Sequence, residues 1–285
     1  MAVELRHLRC LVAVADEGTL TDAGIALGLS QAAVSRTLAA LERDLGVLLV
    51  RRTSRETSLT PEGAQVLARA RRLLADTDDL VREATTGQHV LRVGHAWSAL
   101  GRHTLAFQRR WAERLPGTGL QLVRTNSPTA GLAEGTCRLA VLRVEPDPAR
   151  YDSAVVGLER RFLAVAADDP WARRRSVRLA EVSGRVLLVD SRTGSTTTAL
   201  WPPGARPATE QTEDIDDWLA VVATGRCVGI TAEATVQQYP RPGVVYRPVA
   251  DAAPVVVRLA WWRGEEHPAT ATAVAVATDL YRGAP

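Results

Sequence analysis

The chain has 285 residues, of which 46% are hydrophobic and 24% are charged, a composition that is ordinary for a soluble globular protein and long enough for two domains. It has no run of about 18 apolar residues and no segment typical of a signal peptide, so we expect no membrane span and a cytoplasmic location. The three cysteines, Cys10, Cys137 and Cys227, are far apart and lack CxxC spacing. This favours buried thiols over a disulfide framework or a zinc site, with a redox pair of Cys137 and Cys227 as the alternative.

The net charge of +3 comes entirely from arginine, because the chain contains no lysine. Residues 1–89 hold 11 arginines and 12 acidic residues, or −1, whereas residues 90–285 hold 24 and 20, or +4. Overall charge therefore does not indicate nucleic-acid binding in either part. Any such argument depends on where individual arginines lie.

The first 45 residues predict three helices with a tight turn between the second and the third. Leu5 to Ala15 carries apolar residues at helical spacing. Thr19 and Ser30 are good N-cap residues in front of two further periodic segments, and Gly46 is an expected left-handed stop. This order is typical of a helix-turn-helix.

One side of the third predicted helix and the loop after it carry the candidate DNA contacts. Short side chains at the helix start allow close approach to a major groove, where Gln31 and Arg36 can reach base edges. An arginine-rich loop between predicted strands at 47–50 and 58–59 would touch phosphates or the minor groove, as a wing does. The predicted DNA-contacting residues are Thr21, Ser30, Gln31, Ala32, Ser35, Arg36, Arg51, Arg52, Thr53 and Arg55.

A long helix is predicted to begin at Pro61, which suits the first helical position, with Thr60 in front of it as the N-cap. From Val66 to Val81 its apolar residues recur along one side. That stripe needs a partner, either the first helix of the same chain or a second copy of the chain, and the second copy is the more economical interpretation. We expect residues 61–89 to be a linker and dimerisation segment.

After residue 90, strand-like and helix-like segments alternate, which indicates α/β architecture with a mostly parallel sheet. The predicted strands are 90–94, 119–124, 139–144, 161–166, 186–190 and 228–231. A short helix is expected near 128–134. Sheets of this kind bind ligands at the carboxyl ends of their strands.

The loops at those strand ends are rich in hydroxyl groups, amides and glycine, which suits a small polar or anionic ligand. Ordinary helix caps are the alternative interpretation of the same residues. The predicted effector-contacting residues are Trp97, Ser98, Asn126, Ser127, Arg143, Thr193, Gly194, Ser195 and Thr196.

No motif in the chain indicates catalysis. His95, His103 and His267 have no nucleophile motif around them, and nucleophile-elbow, metalloprotease and phosphate-loop patterns are absent. We therefore expect no enzyme activity, no cofactor and no metal.

The segment from Leu5 to Gly63 closely resembles the LysR-type transcriptional regulators. The positions that match the family's spacing are Ser30-Gln31, Ala33-Val34-Ser35, Leu41-Glu42, Leu45-Gly46, Leu49, Arg51, Arg55, Leu59-Thr60 and Gly63. The remainder resembles the family's effector-binding part. Departures from the family pattern are Val50, Arg138 and Ala232.

This resemblance implies an α plus α/β fold in three parts. A winged helix-turn-helix would occupy 1–60, the linker helix 61–89 and the effector-binding domain 90–285. That domain would contain two α/β subdomains similar to type 2 periplasmic binding proteins. Subdomain I would cover about 90–161 and 256–285, and subdomain II about 162–255.

The resemblance also implies what the protein binds. Such regulators form homodimers or homotetramers, bind double-stranded promoter DNA, respond to a small-molecule effector and contact RNA polymerase. One alternative is a transport-type binding protein, which the N-terminal unit and the missing signal peptide argue against. The other is an architectural DNA-binding protein without an effector.

Overall fold

The computed structural model describes residues 3–52 and 57–283. The chain divides into two compact units, one running to His89 and the other beginning at Val90, with the segment 133–136 grouped with the first. The bundle of the first unit contains three helices, α1 (Leu5–Glu17), α2 (Leu20–Leu27) and α3 (Gln31–Leu45). Among the described residues, no single helix has the length and apolar composition of a membrane span. The pair α2 and α3, bent by 101°, passes that test by length and composition alone.

The boundaries of these helices follow from local chemistry. Thr19 Oγ1 accepts a hydrogen bond from the amide of Asp22 at 3.1 Å, and Ser30 Oγ accepts one from the amide of Ala33 at 3.2 Å. Gly46 ends α3 in a left-handed conformation with φ of 71°. The predicted caps and stop are therefore confirmed.

A two-stranded sheet follows, with β1 (Val50–Arg52) antiparallel to β2 (Thr57–Leu59). The first strand starts later than predicted, at Val50. Glu42 Oε1 holds the approach to it by accepting from the amides of Leu49 and Val50 at 2.9 and 3.1 Å. Because Leu49 is fully buried with Leu38 and Leu41 of α3, this sheet is fixed to the helical core.

The long helix α4 (Pro61–Thr86) is present, and Gly87 directly after it ends it in a left-handed conformation. Thr60 caps it by accepting from the amide of Gly63 at 2.9 Å. Its first half packs on α1, with Leu67 buried. Farther along, Leu73 and Leu80 are exposed at 53% and 65%. Within the described residues, the N-terminal part of the apolar stripe is thus covered, whereas Leu73 and Leu80 farther along are not.

The second unit contains two five-stranded sheets. The first sheet has the order β4-β3-β5-β12-β6 and the second the order β11-β7-β10-β8-β9. The strands of the first sheet are β3 (His89–His95), β4 (Thr118–Arg124), β5 (Leu139–Leu142), β6 (Tyr151–Glu159) and β12 (Val255–Trp262). The strands of the second sheet are β7 (Arg161–Ala166), β8 (Val186–Asp190), β9 (Ala208–Thr212), β10 (Val228–Ala232) and β11 (Val244–Pro248).

The expectation of a mostly parallel sheet is wrong, because both sheets are mixed. Strand β3 runs parallel to β5, and β8 runs parallel to both β9 and β10. In contrast, β12 is antiparallel to β5 and β6, and β7 is antiparallel to β10 and β11. The chain passes between the sheets at Arg160 and again over residues 249–254. The strands that receive it, β7 and β12, are the ones that run against their neighbours.

Helices cover the faces of these sheets: α5 (Thr104–Arg114), α6 (Leu179–Val182), α7 (Ile215–Ala223), α8 (Glu233–Gln238) and α9 (Thr270–Arg282). Residues Phe107, Trp111 and Val276 of α5 and α9 pack into the core of the first sheet. The helix expected near 128–134 is wrong, since these residues form turns. Ala130 and Gly131 have φ of 50° and 101°, which a right-handed helix excludes.

Candidate functional site

The N-terminal end of α3 presents the side chains predicted to contact DNA. Val34, Leu38 and Leu41 are fully buried, which turns the opposite face of the helix to solvent. On that face Gln31, Ala32 and Arg36 are exposed, and Ser35 is half-buried. Arg36 makes no hydrogen bond or ion pair within the described residues. Its guanidinium is available for a partner outside this unit.

The turn before α3 depends on a glycine. Gly24 is buried in α2, and a Cβ at that position would lie 2.8 Å from the carbonyl oxygen of Leu29. The absence of a side chain lets the turn fold closely onto α2. Thr21 is exposed at the start of α2, and Ser30 is exposed although its hydroxyl oxygen is engaged in capping.

The wing is held against the first helix. Thr57 donates from both its amide and its hydroxyl to the carbonyl oxygen of Gly18, at the end of α1. Arg51 is exposed in β1 opposite Ser58. Arg52 ends β1, whereas its side chain, Thr53 and Arg55 lie outside the described residues.

A cleft lies between the two sheets of the second unit, and most of the predicted effector-contacting residues meet there. Two small cavities, each of about 20 Å³, are found in it. The first is bordered by Trp97, Ser98, Ser127, Arg143 and Thr193. The second is bordered by Trp97, Gly194, Ser195 and Thr196. Asn126 instead joins the sheets, donating from Nδ2 to the carbonyl oxygen of Glu213 at 2.8 Å.

Trp97 fills the space between these cavities and is only 5% exposed. Its Nε1 donates to the carbonyl oxygen of Thr193 at 3.3 Å, and its own carbonyl accepts from the hydroxyl of Tyr239 at 2.7 Å. Cζ of Arg143 lies 4.6 Å from the centroid of the ring. The side chain of a first-sheet loop therefore closes the cleft.

Arg143 is neutralised by Glu159. Nε and Nη2 of Arg143 donate to the two carboxylate oxygens at 2.9 and 2.8 Å, and the side chains are 4% and 5% exposed. Nη1 donates to the carbonyl oxygen of Ser98 at 2.8 Å, and the Tyr281 hydroxyl donates to Glu159 at 2.7 Å. Burial acts to raise the pKa of Glu159, but the charge of Arg143 and the hydrogen bonds from Arg143, Tyr281 and the amide of Ala234 together outweigh it and lower that pKa.

Two polar atoms near the cleft have no hydrogen-bond partner within the described residues, His95 Nδ1 and Ser98 Oγ. Burial, then the charges of Arg143 and Arg124, lower the pKa of His95 to about 4. The imidazole is consequently neutral at neutral pH. Ser98 Oγ is almost completely enclosed, which leaves a hydroxyl with unused bonding capacity at the wall of the first small cavity.

Arg161 was not singled out from the sequence. This residue is buried. Its Nη1 donates to the carbonyl oxygen of Ser195 and to the hydroxyl oxygen of Thr196, both at 3.1 Å, and its Nε donates to the carbonyl oxygen of Ala253 at 2.9 Å. Burial lowers its pKa, and it forms no ion pair within the described residues. Its contacts hold the Ser195–Thr196 loop on β7. An arginine at the start of an otherwise apolar strand was the available signal.

A larger cavity of about 220 Å³ also escaped sequence analysis. It includes Leu100, Arg102, Glu159, Glu233 and Tyr281 in its lining. Arg160, on the same wall, pairs with Glu233 at 3.0 Å. These residues are scattered through the chain, so no local pattern signals the cavity.

The family comparisons cover both units of the chain. Residues 5–64 match the family described as "Bacterial regulatory helix-turn-helix protein, lysR family". Residues 84–279 match the "LysR substrate binding domain". These matches span both the helix-turn-helix and the two-sheet unit.

Individual proteins show the same likeness. The chain is 35% identical over 195 residues to the uncharacterized HTH-type transcriptional regulator YnfL of Escherichia coli K12, which covers 64% of each protein. It is 31% identical over 265 residues to the HTH-type transcriptional regulator TfdS of Cupriavidus pinatubonensis, covering 88% of this chain and 89% of TfdS. The crystal structure of full-length CbnR complexed with target DNA is similar in fold, with a TM-score of 0.64, 22% identity, and coverage of 98% and 99%.

Proposed function

The chain belongs to the LysR family of DNA-binding transcriptional regulators with an effector-binding domain, and from this premise we propose how its own residues carry out that function. The helix-turn-helix binds promoter DNA in a sequence-specific manner. A small molecule in the cleft between the two sheets changes that binding. The observation that carries the proposal is the N-terminal end of α3, which is exposed while its opposite face is anchored in the core.

In the proposed complex, α3 lies in a major groove. Gln31 and Arg36 contact base edges, and Ala32 allows the helix to approach closely. Ser30, Ser35 and Thr21 contact the backbone or bases beside them. The wing residues Arg51, Arg52, Thr53 and Arg55 contact phosphates or the minor groove. This division assigns sequence preference to α3 and general affinity to the wing.

Effector binding acts through a population shift. The loops around Trp97 and Thr193 belong to different sheets, so a molecule between them favours one relative arrangement of the sheets over another. The remaining predicted contacts are Ser98, Asn126, Ser127, Arg143, Gly194, Ser195 and Thr196. A ligand that binds one arrangement of the sheets more tightly than the other shifts the population toward that arrangement. The size of the resulting change in promoter binding is limited by this difference in ligand affinity.

We further propose a homodimer built on α4, in which the exposed Leu73, Leu80 and Val81 are covered by a second copy. Dimerisation would place the two copies of α3 on neighbouring half-sites of the DNA. Pairing of dimers into a tetramer, with contact to RNA polymerase at the promoter, completes the proposed assembly. Because the promoter is its target, the protein acts in the cytoplasm.

A nuclease footprint of the purified full chain on the DNA upstream of its own gene tests DNA recognition. We expect protection of an interrupted palindrome with half-sites about one helical turn apart. Arg36→Ala is the informative variant, and Arg226→Ala, an exposed change in the second unit, is its control. The proposal is contradicted if no site is protected upstream of the gene and, in addition, no preferred sequence is recovered by selection from random DNA at low salt.

A regulator without an effector is the second candidate, and one observation favours it. The cleft is closed by Trp97 and keeps two cavities of about 20 Å³. A melting temperature and footprint unaffected by every metabolite tried supports this second candidate. A saturable shift by one metabolite supports the first.

A further inference from the structure

Trp97 belongs to one sheet by sequence and to the other by packing. It follows β3 of the first sheet, yet its ring packs in the apolar cluster of the second sheet with Leu188, Ile215 and Trp218. Among the described residues, Trp97 is the one that borders both small cavities of the cleft. The indole therefore occupies the position in which the proposed function places a ligand.

The surroundings of the indole define a specific chemistry. A guanidinium, that of Arg143, lies 4.6 Å from the ring centroid, and the carbonyl oxygen of Thr193 accepts from the ring N–H at 3.3 Å. Apolar side chains supply further contacts, and Ser98 Oγ stands unpartnered in the wall within the described residues. Such partners fit a flat aromatic ring with an N–H donor at its edge.

The positive charge of Arg143 is not available to select an anionic ligand. Arg143 is already neutralised by two hydrogen bonds to Glu159, and further N–H groups donate to the carbonyl oxygens of Ser98 and Ala99. A carboxylate ligand would have to compete with Glu159 for the same guanidinium. The guanidinium carbon, in contrast, lies over the ring of Trp97, so an aromatic ring is the group placed beside this cation.

We propose that the cleft is a binding slot for a planar aromatic molecule carrying an N–H donor, and that the side chain of Trp97 occupies this slot in the absence of such a ligand. The proposal rests on the proposed effector-binding function and names its ligand class. The ligand and the Trp97 side chain cannot occupy the slot together, so ligand binding requires the Trp97 side chain to move out of it. The contact between Trp97 and Thr193, which joins the two sheets, is then replaced by a contact through the ligand.

The test uses calorimetric titration of the full chain with free indole. In Trp97→Ala the slot is vacated, and we expect saturable binding of one indole per chain. In the unaltered protein the resident side chain competes, so indole should bind at least tenfold more weakly. Benzofuran has the same fused rings with an oxygen acceptor in place of the N–H. It should bind Trp97→Ala about tenfold more weakly than indole, because it leaves the Thr193 carbonyl unpaired.

Hydrogen exchange locates the bound molecule. In Trp97→Ala we expect faster exchange in the segment 193–196, restored by indole. Trp201→Ala is the matched control, since Trp201 is equally buried and donates its N–H to the carbonyl oxygen of Leu179 at 2.8 Å, but packs in a different cluster. Indole added to Trp201→Ala should leave exchange in 193–196 unchanged.

If Trp97→Ala does not fold, Trp97→Leu, which keeps part of the apolar contact, is titrated in its place. Equal affinity for indole and benzofuran, or no indole binding to a folded variant, overturns the proposal. The footprint of the same preparations separates this failure from failure of the proposed function. DNA protection without indole binding contradicts only the proposed ligand class. Indole binding without DNA protection contradicts the proposed function as a DNA-binding regulator.

Discussion

Arg143 and Glu159 face each other across neighbouring parts of the first sheet and form a bidentate ion pair with both side chains almost entirely enclosed. Tyr281 of α9 donates to the same carboxylate, so the pair also fixes the last helix. Glu159 lines the larger cavity and Arg143 lines the cleft. One pair of charges thus lies between the two spaces in which a small molecule could bind.

Replacing Glu159 with glutamine is expected to destabilise the protein strongly. The substitution leaves the Arg143 guanidinium buried without a countercharge, and breaking a buried pair in this way costs roughly 3–5 kcal/mol. The free energy of unfolding in urea measures it. The exposed pair Arg226–Glu210 provides the control, because Arg226→Ala should change stability by less than about 1 kcal/mol.

The same variant should differ from the parent less at acidic pH. The pKa of Glu159 is lowered in the folded state, so its stabilisation is present above its unfolded pKa and is lost as the pH falls through the folded pKa. Unfolding curves of parent and Glu159→Gln are compared at neutral pH and at successively lower values. A difference that grows on acidification contradicts this assignment.

His95 predicts a pH effect of its own. Its pKa is lowered to about 4 by burial and by the charges of Arg143 and Arg124, so between its ordinary value and 4 only the unfolded chain takes up the proton. Stability should therefore fall as the pH drops through this window, by about 2 kcal/mol at pH 5. His95→Gln should remove that part of the slope, whereas the exposed His89→Gln should keep it. Parallel slopes for all three proteins count against a neutral buried His95.

The elements that sequence analysis predicted well are those specified by neighbouring residues. Thr19, Ser30 and Thr60 cap the amide groups that follow them within three residues, and Gly46 ends its helix by its own backbone preference. Helices of the first unit were accordingly predicted close to their observed bounds.

Features that depend on distant residues were missed. Strand β9 has no apolar alternation, since it is an edge strand held by backbone pairing to β8. The turn at Ala130 and Gly131 follows from positive φ values that no spacing rule reveals. Arg161 and Glu159 acquire their roles from partners far away in the chain. The chemistry of the cleft loops was visible from the sequence, and Trp97 was among the predicted contacts, but its packing against side chains of the second sheet was not predicted.

A methyl group at Gly63 should disrupt the junction between the wing and α4. A Cβ built there would lie 2.0 Å from the carbonyl oxygen of Leu49, which is buried backbone with no freedom to move aside. We expect Gly63→Ala to lower stability by about 1–3 kcal/mol. Gly204→Ala, where a Cβ meets nothing within 4 Å, is the control. Equal melting temperatures for the two variants contradict the predicted clash.

A charge on the exposed stripe of α4 should weaken self-association. Leu80 is 65% exposed in the single chain, so Leu80→Glu leaves the fold of the monomer intact while placing a charge in the proposed dimer contact. Sedimentation velocity should show the shift to monomer. Glu62→Gln, on the exposed first turn of the same helix, should remain associated. A monomeric parent protein, or an unchanged Leu80→Glu dimer, contradicts the role of α4.

Arg36 and Arg51 should differ in the kind of DNA affinity that they supply. Arg36 projects from α3 toward base edges in the proposed complex, so Arg36→Ala should lose roughly 1–3 kcal/mol of discrimination at one base position. Arg51 lies in the wing strand, and Arg51→Ala should weaken binding to all sequences and reduce the salt slope by about one phosphate contact. Binding is measured by titration of the selected site and of a scrambled site over a range of salt concentrations. Equal salt slopes together with equal base preference in the two variants would mean that helix and wing do not divide the roles, and the docking of α3 would have to be revised.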